Sequence, residues 1–350
     1  MAIIAVEGFD VYSGKTGTDI GLASRWTVGG NTNGSMQTGH FGIGQCLRYD
    51  NPTSTPLKDQ LNLGAGYASL GISFTMRVET VSGDWGTAGT GEALLAFYDS
   101  ANAVQCSLHL DTAGHLFAFR GLSVTNLGGS SGAAKIKTLH VHQVEIEVTI
   151  SDAAGVFKVW VDGTLVINLT SIDTKTTAVA DAQYFTLCPT HGLDTYLEFD
   201  NLIITDGTRP GVGRRVQPLA PTAETADADF VPSTGTDNSA LVDETPVNTT
   251  DYVQGSTVGD LDLYDIADLD AAIGTVEAVD LFMYALKNDV TAREIRATMK
   301  SNATFASSAN LVLTTAYQQV RKLQLTNPDG GGAWSAAALN ALKIGPEVMV

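Results

Sequence analysis

The stretch from His142 to Thr174 constrains the fold more than any other part of the chain, because apolar and polar side chains alternate along it. Between His142 and Ile150 aliphatic residues take every second position, which is the period of a strand with one face on a core and the other in water. A turn separates it from a second apolar run at Val156–Val161. Asp162-Gly163 then favours a tight hairpin. The pattern predicts three antiparallel strands of a β-sandwich or jelly roll.

Length and composition extend this prediction to the whole chain. The chain has 350 residues, too many for one ordinary sandwich, and 36 of them are glycine, as is typical of turn-rich β proteins. Charged residues make up only 17%, and helical periodicity is rare. We therefore predict an all-β fold class with two β-sandwich (jelly-roll-like) domains, the second carrying a short C-terminal helix.

Turn residues and alternation divide the chain into domains. The first domain is predicted to cover residues 1–207, a Pro- and Gly-rich linker residues 208–221, and the second domain residues 222–350. Further strands of the first domain are predicted at 72–78, 92–98, 104–110, 115–120, 183–188 and 196–205. In the linker, Arg209, Arg214 and Arg215 could pair with carboxylates of a neighbouring domain or subunit, but solvated linker charges are the favoured interpretation.

The composition of the second domain changes along its length. Residues 223–251 are acidic and are predicted to be rich in loops. The nearly continuous apolar run Val276–Leu286 predicts a strand covered on both faces. Strands are also predicted at 292–300, 311–315, 317–325 and 348–350, and Ser335 is predicted to cap a short helix that extends to Leu342.

Charge and cysteine content exclude several classes of function. The net charge of −18 repels phosphate backbones, so we expect no nucleic-acid partner. The widely spaced Cys46, Cys106 and Cys188 fit neither a zinc ribbon nor a disulfide framework, and we expect Cys106 to be a small buried residue in a protein that folds in a reducing compartment. The first residues lack the features of a signal peptide, and no run has the length of a membrane span.

A series of short motifs gives the chain a resemblance to a known group of proteins. The chain resembles the laminin-G-like or concanavalin-A-like jelly-roll domains of tailed-bacteriophage structural proteins, and its C-terminal half is similar to a segment that accompanies them in virions. The resemblance spans nearly the whole chain and rests on the order of the motifs. The motifs are Val6–Asp10, Gly39–Gly42, His142–Ile150, Val161–Gly163, Ile172–Thr174, Tyr196–Asn201, Thr205–Gly207, Val242–Glu244, Thr250–Val253, Asp262–Tyr264 and Asn327–Gly345.

The resemblance implies a non-enzymatic virion component of the tail, baseplate or capsid surface, made in the host cytoplasm and assembled as a homo-oligomer with other virion proteins. Two alternatives stay open, namely a carbohydrate-binding adhesin that attaches to host glycans and, less favoured, a polysaccharide depolymerase. No cofactor is expected apart from a structural calcium ion, which such jelly rolls often hold between their first and last strands; here Asp10 and Asp200 would supply oxygen ligands.

Two pairs of residues have the spacing of a reactive site. Glu145 and Glu147 lie two apart on one strand and share a face, as the acids of some jelly-roll glycosidases do, but the further acids of that motif are missing. We therefore interpret them as solvated, and no catalytic residue is predicted. His140 and His142 could chelate a metal only with a third ligand, so local hydrogen bonding is the favoured interpretation and no metal ligand is assigned.

Aromatic residues are the remaining candidates, because sugar-binding sandwiches stack exposed rings on pyranose faces. Trp26, Trp85 and Tyr98 adjoin loops rich in Gly, Asp and Asn and are the candidate ligand-binding residues. Trp85 is the strongest of them, since glycines flank it, although packing at the edge of the core is an equal alternative. Trp160 is predicted to pack.

Overall fold

The structure is a computed structural model and describes residues 2–10, 12, 26–27, 34–50, 59–79, 91–122, 125–189, 196–245, 247–269 and 274–350. These residues form antiparallel sheets with one short helix near the C-terminus, which confirms the predicted all-β class. The chain separates into two compact units, Met1–Gln217 and Pro218–Val350. Among the described residues, no helix is long and apolar enough to cross a membrane.

The first sheet of the first unit, called sheet 1 here, has a polar outer face. Its described strands lie in the order β13-β12-β11-β6-β15-β4-β3, and β1 also pairs with β15. They are β1 (Ile3–Glu7), β3 (Gly34–Thr38), β4 (Gln45–Asp50), β6 (Ser69–Val78), β11 (Val141–Thr149), β12 (Gly155–Val161), β13 (Thr164–Ile172) and β15 (Tyr196–Asp206).

The second sheet, sheet 2, closes the sandwich. Its described strands lie in the order β10-β9-β8-β7-β14-β5-β2. They are β2 (Trp26–Thr27), β5 (Asp59–Tyr67), β7 (Glu92–Tyr98), β8 (Val104–Leu110), β9 (Leu116–Arg120), β10 (Thr125–Ser130) and β14 (Ala182–Leu187). Phe97 of sheet 2 and Phe157 of sheet 1 meet edge to face, with 6.5 Å between ring centroids. The two sheets therefore enclose one apolar core between their inner faces.

Local sequence explains the strand boundaries of sheet 1. The inward-facing residues of β11, Val144, Ile146 and Val148, are buried as the alternation predicts. Asp162 and Gly163 have φ values of 49° and 79°, the conformation that a two-residue hairpin between β12 and β13 requires. Cys46, Cys106 and Cys188 are buried free thiols, and Cys106 is part of the core as predicted.

Residues 208–216, predicted to belong to a linker, instead pack on the outer face of sheet 1, and we call them the strap. The Gly211 N–H donates to Glu145 Oε1 at 2.7 Å, and the Gly213 N–H donates to Gln143 Oε1 at 2.8 Å. Pro and Gly indicated correctly that the segment forms no regular strand. Strand side chains accept these two backbone N–H groups, which holds the segment on the sheet.

The second unit has a main sheet with strands in the order β16-β19-β25-β21-β22, and β23 also pairs with β21. Its strands and helix are β16 (Pro221–Ala228), β17 (Val231–Pro232), β18 (Val253–Gln254), β19 (Asp262–Ile266), β20 (Val279–Ala285), β21 (Glu294–Ser301), β22 (Thr304–Ser307), β23 (Leu311–Val312), β24 (Gln318–Gln324), α1 (Ala336–Asn340) and β25 (Lys343–Val348). The predicted cap is confirmed, since Ser335 Oγ accepts the Ala338 N–H at 3.1 Å.

Three expectations for the second unit need correction. Strand β20 is half-buried rather than covered on both faces, and Leu281 is its one fully buried residue. The acidic opening contains β16, a strand that composition alone hid because its residues are small or acidic. The last strand ends at Val348 rather than beginning there, because its pairing with β21 starts at Lys343.

Candidate functional site

A row of charged side chains crosses the outer face of sheet 1. Strand register places Ser35 opposite Arg48, Arg48 opposite Glu198, and Glu198 opposite Arg77. Directly opposed residues of antiparallel strands have neighbouring Cβ atoms on the same face, so four strands bring these side chains side by side. Glu198 lies more than a hundred residues from the other three in the sequence, and strand register brings the four side chains together.

Glu79 and Tyr196 extend the row by one step along the strands. Tyr196 lies two residues before Glu198 on β15, and the Glu79 N–H donates to the Tyr196 carbonyl at 3.0 Å. The Arg48 guanidinium lies over the Tyr196 ring at 3.8 Å from its centroid. Tyr196 is 42% exposed, and Arg48 lies over one face of its ring. We call Arg48, Arg77, Glu79, Tyr196 and Glu198 the tyrosine–arginine patch.

The charges of the patch alternate and balance. Glu79 lies 3.2 Å from a guanidinium nitrogen of Arg48 and 3.7 Å from one of Arg77. Glu198 lies 3.3 Å from Arg77 and 3.8 Å from Arg48. Each guanidinium is therefore held between two carboxylates, which fixes the planar donor groups in position. Such a surface offers fixed donors and acceptors beside an aromatic ring.

Beside the patch, the connection between β3 and β4 folds His40 back onto the sheet. The Gly39 N–H donates to the Gly44 carbonyl at 2.9 Å, and Phe41 and Gly42 have φ values of 65° and 75°. This tight reversal places His40 Nε2 at 3.6 Å from Glu198 Oε2. His40 is therefore part of the site although it lies in a loop.

Burial and neighbouring charge set the ionisation of these acids. Burial opposes ionisation of Glu198, but its interactions with the nearby His40 and Arg77 side chains outweigh burial and lower its pKa. Burial raises the pKa of Asp200 to about 8 and that of Asp10 to about 7, and the charges of Asp10 and Glu7 add to these shifts. Burial also raises the pKa of the Cys46 thiol to about 12.

The predicted calcium ligands lie near one another at the bulge of β15. Both oxygens of Asp200 accept backbone N–H groups, from His40 at 2.9 Å and from Asn201 at 2.6 Å. Asp10 Oδ1 accepts the Gln45 N–H at 2.7 Å. Calcium needs six to eight oxygen ligands, and these oxygens already have donors. Calcium between Asp10 and Asp200 stays a prediction.

The paired glutamates have different surroundings from those predicted. Glu145 is fully buried, forms an ion pair with Arg209 and accepts the Gly211 N–H, so the expectation that it is solvated was wrong. Glu147 is half-buried and accepts the Arg209 N–H at 3.2 Å. Arg209 was likewise wrongly predicted to be solvated, and its guanidinium also lies 4.3 Å from the centroid of Trp160. The strap thus covers Glu145 and closes it to a substrate.

The other two linker arginines also have contacts within the first unit. Arg215 lies over the Phe41 ring at 4.1 Å, and Arg214 Nε donates to the Pro210 carbonyl at 3.2 Å. Arg215 is exposed, as the interpretation as a solvated charge predicts, whereas Arg214 is half-buried.

The histidine pair is bound locally, as predicted. His142 Nδ1 lies 2.7 Å from Asp162 Oδ2, and its Nε2 accepts the Lys137 N–H at 2.9 Å. His140 Nδ1 lies 2.8 Å from the Thr138 carbonyl. Both nitrogens of His142 are therefore engaged.

Two of the three aromatic candidates are buried, so the prediction that they bind a ligand was wrong for them. Trp26 is 1% exposed and donates through Nε1 to Glu7 Oε2 at 3.4 Å, and Tyr98 is 3% exposed. Neither ring presents a face for stacking on a sugar. Trp85 lies outside the described residues. The exposed Tyr196 was missed, although its position two residues before Glu198 in a predicted strand placed the two side chains on one face.

Comparison with known proteins gives no family for the chain. No family model and no curated protein matches it. Among solved structures, the alginate lyase Aly36B is 14% identical, with 60% of this chain and 100% of that chain covered and a TM-score of 0.40. The alginate lyase vAL-1 from Chlorella virus is 13% identical over 52% of this chain and 93% of that chain, with a TM-score of 0.38. Domain 4 of AbnA, a GH43 arabinanase from Geobacillus stearothermophilus in complex with arabinotriose, is 16% identical over 59% and 92%, with a TM-score of 0.36. At these TM-scores the similarities do not indicate what this chain binds.

Proposed function

We propose that this protein is a non-enzymatic carbohydrate-binding protein and that the tyrosine–arginine patch contacts the glycan. One observation carries the proposal: the exposed Tyr196 ring lies beside guanidinium and carboxylate groups held in fixed positions on a sheet face. An aromatic ring stacks on the apolar face of a pyranose, and neighbouring planar polar groups bind its hydroxyl groups. The patch unites both features within a few ångströms.

Charge narrows the class of glycan. The two arginines and two glutamates of the patch balance one another, and the chain as a whole carries a net charge of −18. A polyanionic glycan would approach against this field, whereas a neutral one would not. The proposed ligand is therefore a neutral oligosaccharide.

The surroundings of the sequence-predicted acids support binding without catalysis. Glu145 is enclosed by Arg209 and Gly211, so it cannot reach a glycosidic bond. Glycoside hydrolysis needs two carboxyl groups that flank the bond, one of them able to donate a proton. In the patch, each glutamate is instead paired with arginine.

The full chain should be tested against an array of neutral and uronate-containing glycans, with sugar release measured on every glycan bound. We expect binding to neutral glycans, no sugar release, and at least a tenfold loss of affinity in Tyr196→Ala. Release of sugar would refute the non-enzymatic part of the proposal. Absence of any glycan binding by the folded chain would refute the whole.

We further infer, from the sequence resemblance alone, that such attachment serves a tailed-phage virion in which copies of this chain associate with one another. Purified particles would then contain the protein in a fixed stoichiometry. A protein absent from such particles would remove the virion setting and leave the glycan site to be judged by its own test.

A further inference from the structure

His40, Cys46 and Glu198 form a cluster whose ligand atoms face one another inside the first unit. One atom from each side chain lies within 4.8 Å of both others, and all three residues are buried. Across the part of the chain that the structure describes, this is the one group of three His, Cys, Asp or Glu residues with that property. His40 and Cys46 flank the turn between β3 and β4, and Glu198 lies on β15.

The surroundings of His40 fix which nitrogen faces the cluster. Thr75 Oγ1 lies 2.8 Å from His40 Nδ1 and donates its single hydrogen to the Asp200 carbonyl at 3.2 Å. Thr75 therefore engages Nδ1, and Nε2 is the nitrogen that faces Glu198. A hydrogen bond at the second nitrogen is the usual support of a histidine that binds a metal.

His40 Nε2 has no hydrogen-bond partner although the residue is only 4% exposed. A buried polar atom without a partner costs free energy, and such an atom calls for an explanation. Its neighbour Glu198 Oε2 lies at 3.6 Å, too far for a hydrogen bond. The separation is close to the roughly 3.4 Å between two light-atom ligands of a tetrahedral zinc ion.

We propose that His40, Cys46 and Glu198 bind a structural Zn²⁺ ion. Thiolate, imidazole and carboxylate are together the donors that zinc favours, whereas calcium and magnesium favour oxygen alone. On binding, the thiol proton of Cys46 leaves to solvent as the Zn–S bond forms, and the lone pairs of His40 Nε2 and Glu198 fill two further positions. Water completes the tetrahedron.

The position of the cluster explains what the ion would do. Cys46 and His40 belong to the β3–β4 hairpin, and Glu198 belongs to the strand that pairs with β4. An ion bound by all three links the turn at the edge of sheet 1 to its interior. Glu198 belongs both to this site and to the tyrosine–arginine patch, so the ion would also fix one side of the patch.

The test uses the full chain, stripped with a chelator and dialysed against Zn²⁺ or Co²⁺. We expect about one Zn²⁺ per chain, a thiolate-to-metal charge-transfer band with Co²⁺, and a rise in thermal midpoint of roughly 5 °C at saturating zinc. Cys46→Ala and His40→Gln should abolish the band and the rise. Cys106→Ala removes another buried thiol and serves as the matched control, which should keep both.

Several results would overturn the proposal. They are the absence of metal binding by the folded wild-type chain, an equal loss of the cobalt band in Cys106→Ala, and retention of full binding in Cys46→Ala. If Cys46→Ala does not fold, circular dichroism reveals it and His40→Gln decides. Glycan binding is measured separately on the chelator-treated wild type, so failure of the zinc site is distinguishable from failure of the proposed function.

Discussion

Arg209 forms an ion pair with Glu145, a carboxylate that is wholly buried on the polar side of sheet 1. The strap positions the Arg209 guanidinium beside this carboxylate, and the Gly211 N–H donates to its second oxygen at 2.7 Å. The alternation of the sequence predicts that Glu145 faces solvent. The strap, some sixty residues further along the chain, instead encloses it. The pair anchors the strap to the sandwich.

Arg209→Met should destabilise the first unit by about 2–4 kcal/mol, because the buried Glu145 carboxylate loses its counter-charge. Denaturant unfolding of the full chain measures this change. The double variant Arg209→Met/Glu145→Gln should recover at least half of the loss, since no unpaired charge remains. Lys158→Met, on the same face of the neighbouring strand, should cost less than about 0.5 kcal/mol. Equal costs for Arg209→Met and Lys158→Met would contradict this account of the strap.

Asp10 should make stability depend on pH. Its pKa is about 7 in the folded state, mainly through burial, and 3.8 is its ordinary value. Between these values the unfolded chain has released the proton while the folded chain keeps it, so the free energy of unfolding falls as pH rises from about 4 to 7 and then levels off. Asp10→Asn removes this contribution and keeps an oxygen for the Gln45 N–H.

The measurement is the free energy of unfolding of wild type and Asp10→Asn at pH 5 and pH 8. From the lower to the higher pH, wild type should lose stability relative to the variant by an amount on the order of 1–3 kcal/mol. A difference that stays constant with pH would show that Asp10 ionises normally in the folded protein.

The contact between Phe97 and Phe157 joins the two sheets of the first unit. Phe157→Ala should cost about 3–5 kcal/mol, because it removes a fully buried ring and leaves a cavity between sheets that cannot close. Phe157→Leu fills part of that volume and should cost clearly less. Chemical unfolding compares the two, and equal losses would argue against a cavity as the cause.

In the second unit, Asp262 is fully buried and accepts three hydrogen bonds. They come from the Phe230 N–H, the Asn238 amide and the Tyr264 hydroxyl, each at 2.7 Å. Asp262→Asn puts a side-chain N–H donor where the Asn238 amide and the Tyr264 hydroxyl now donate. The lost hydrogen bonds should lower the free energy of unfolding by about 2–3 kcal/mol. Hydrogen exchange should show faster opening at 230 and 238, with protection of β11 unchanged. Faster exchange of β11 as well would contradict a local effect.

The fold was predictable where one face of a strand alternates cleanly. The bounds of β7 and β8 match the predicted 92–98 and 104–110, because apolar runs there end at turn residues. Strand β16 escaped prediction because small and acidic residues carry no such signal. The outer face of sheet 1 escaped it as well, since alternation assigns a residue to a face but does not show what later covers that face.

The candidate site was less predictable than the fold for a related reason. The patch requires the register of β4, β6 and β15, and single strands contain no information about which residues stand opposite one another. Tyr196 and Trp26 both lie in strands and beside polar residues. Only the three-dimensional structure shows that Tyr196 is exposed and that Trp26 is buried.

The affinity of the full chain for its best neutral oligosaccharide, measured by calorimetry for wild type, Tyr196→Ala and Phe305→Ala, tests the central claim most directly. Phe305 is the matched control, an exposed aromatic of the second unit with the Lys300 ammonium 5.1 Å from its ring centroid. The account predicts at least a tenfold weaker Kd, equivalent to about 1.4 kcal/mol, in Tyr196→Ala and no change in Phe305→Ala. Unchanged affinity in a correctly folded Tyr196→Ala protein would contradict it.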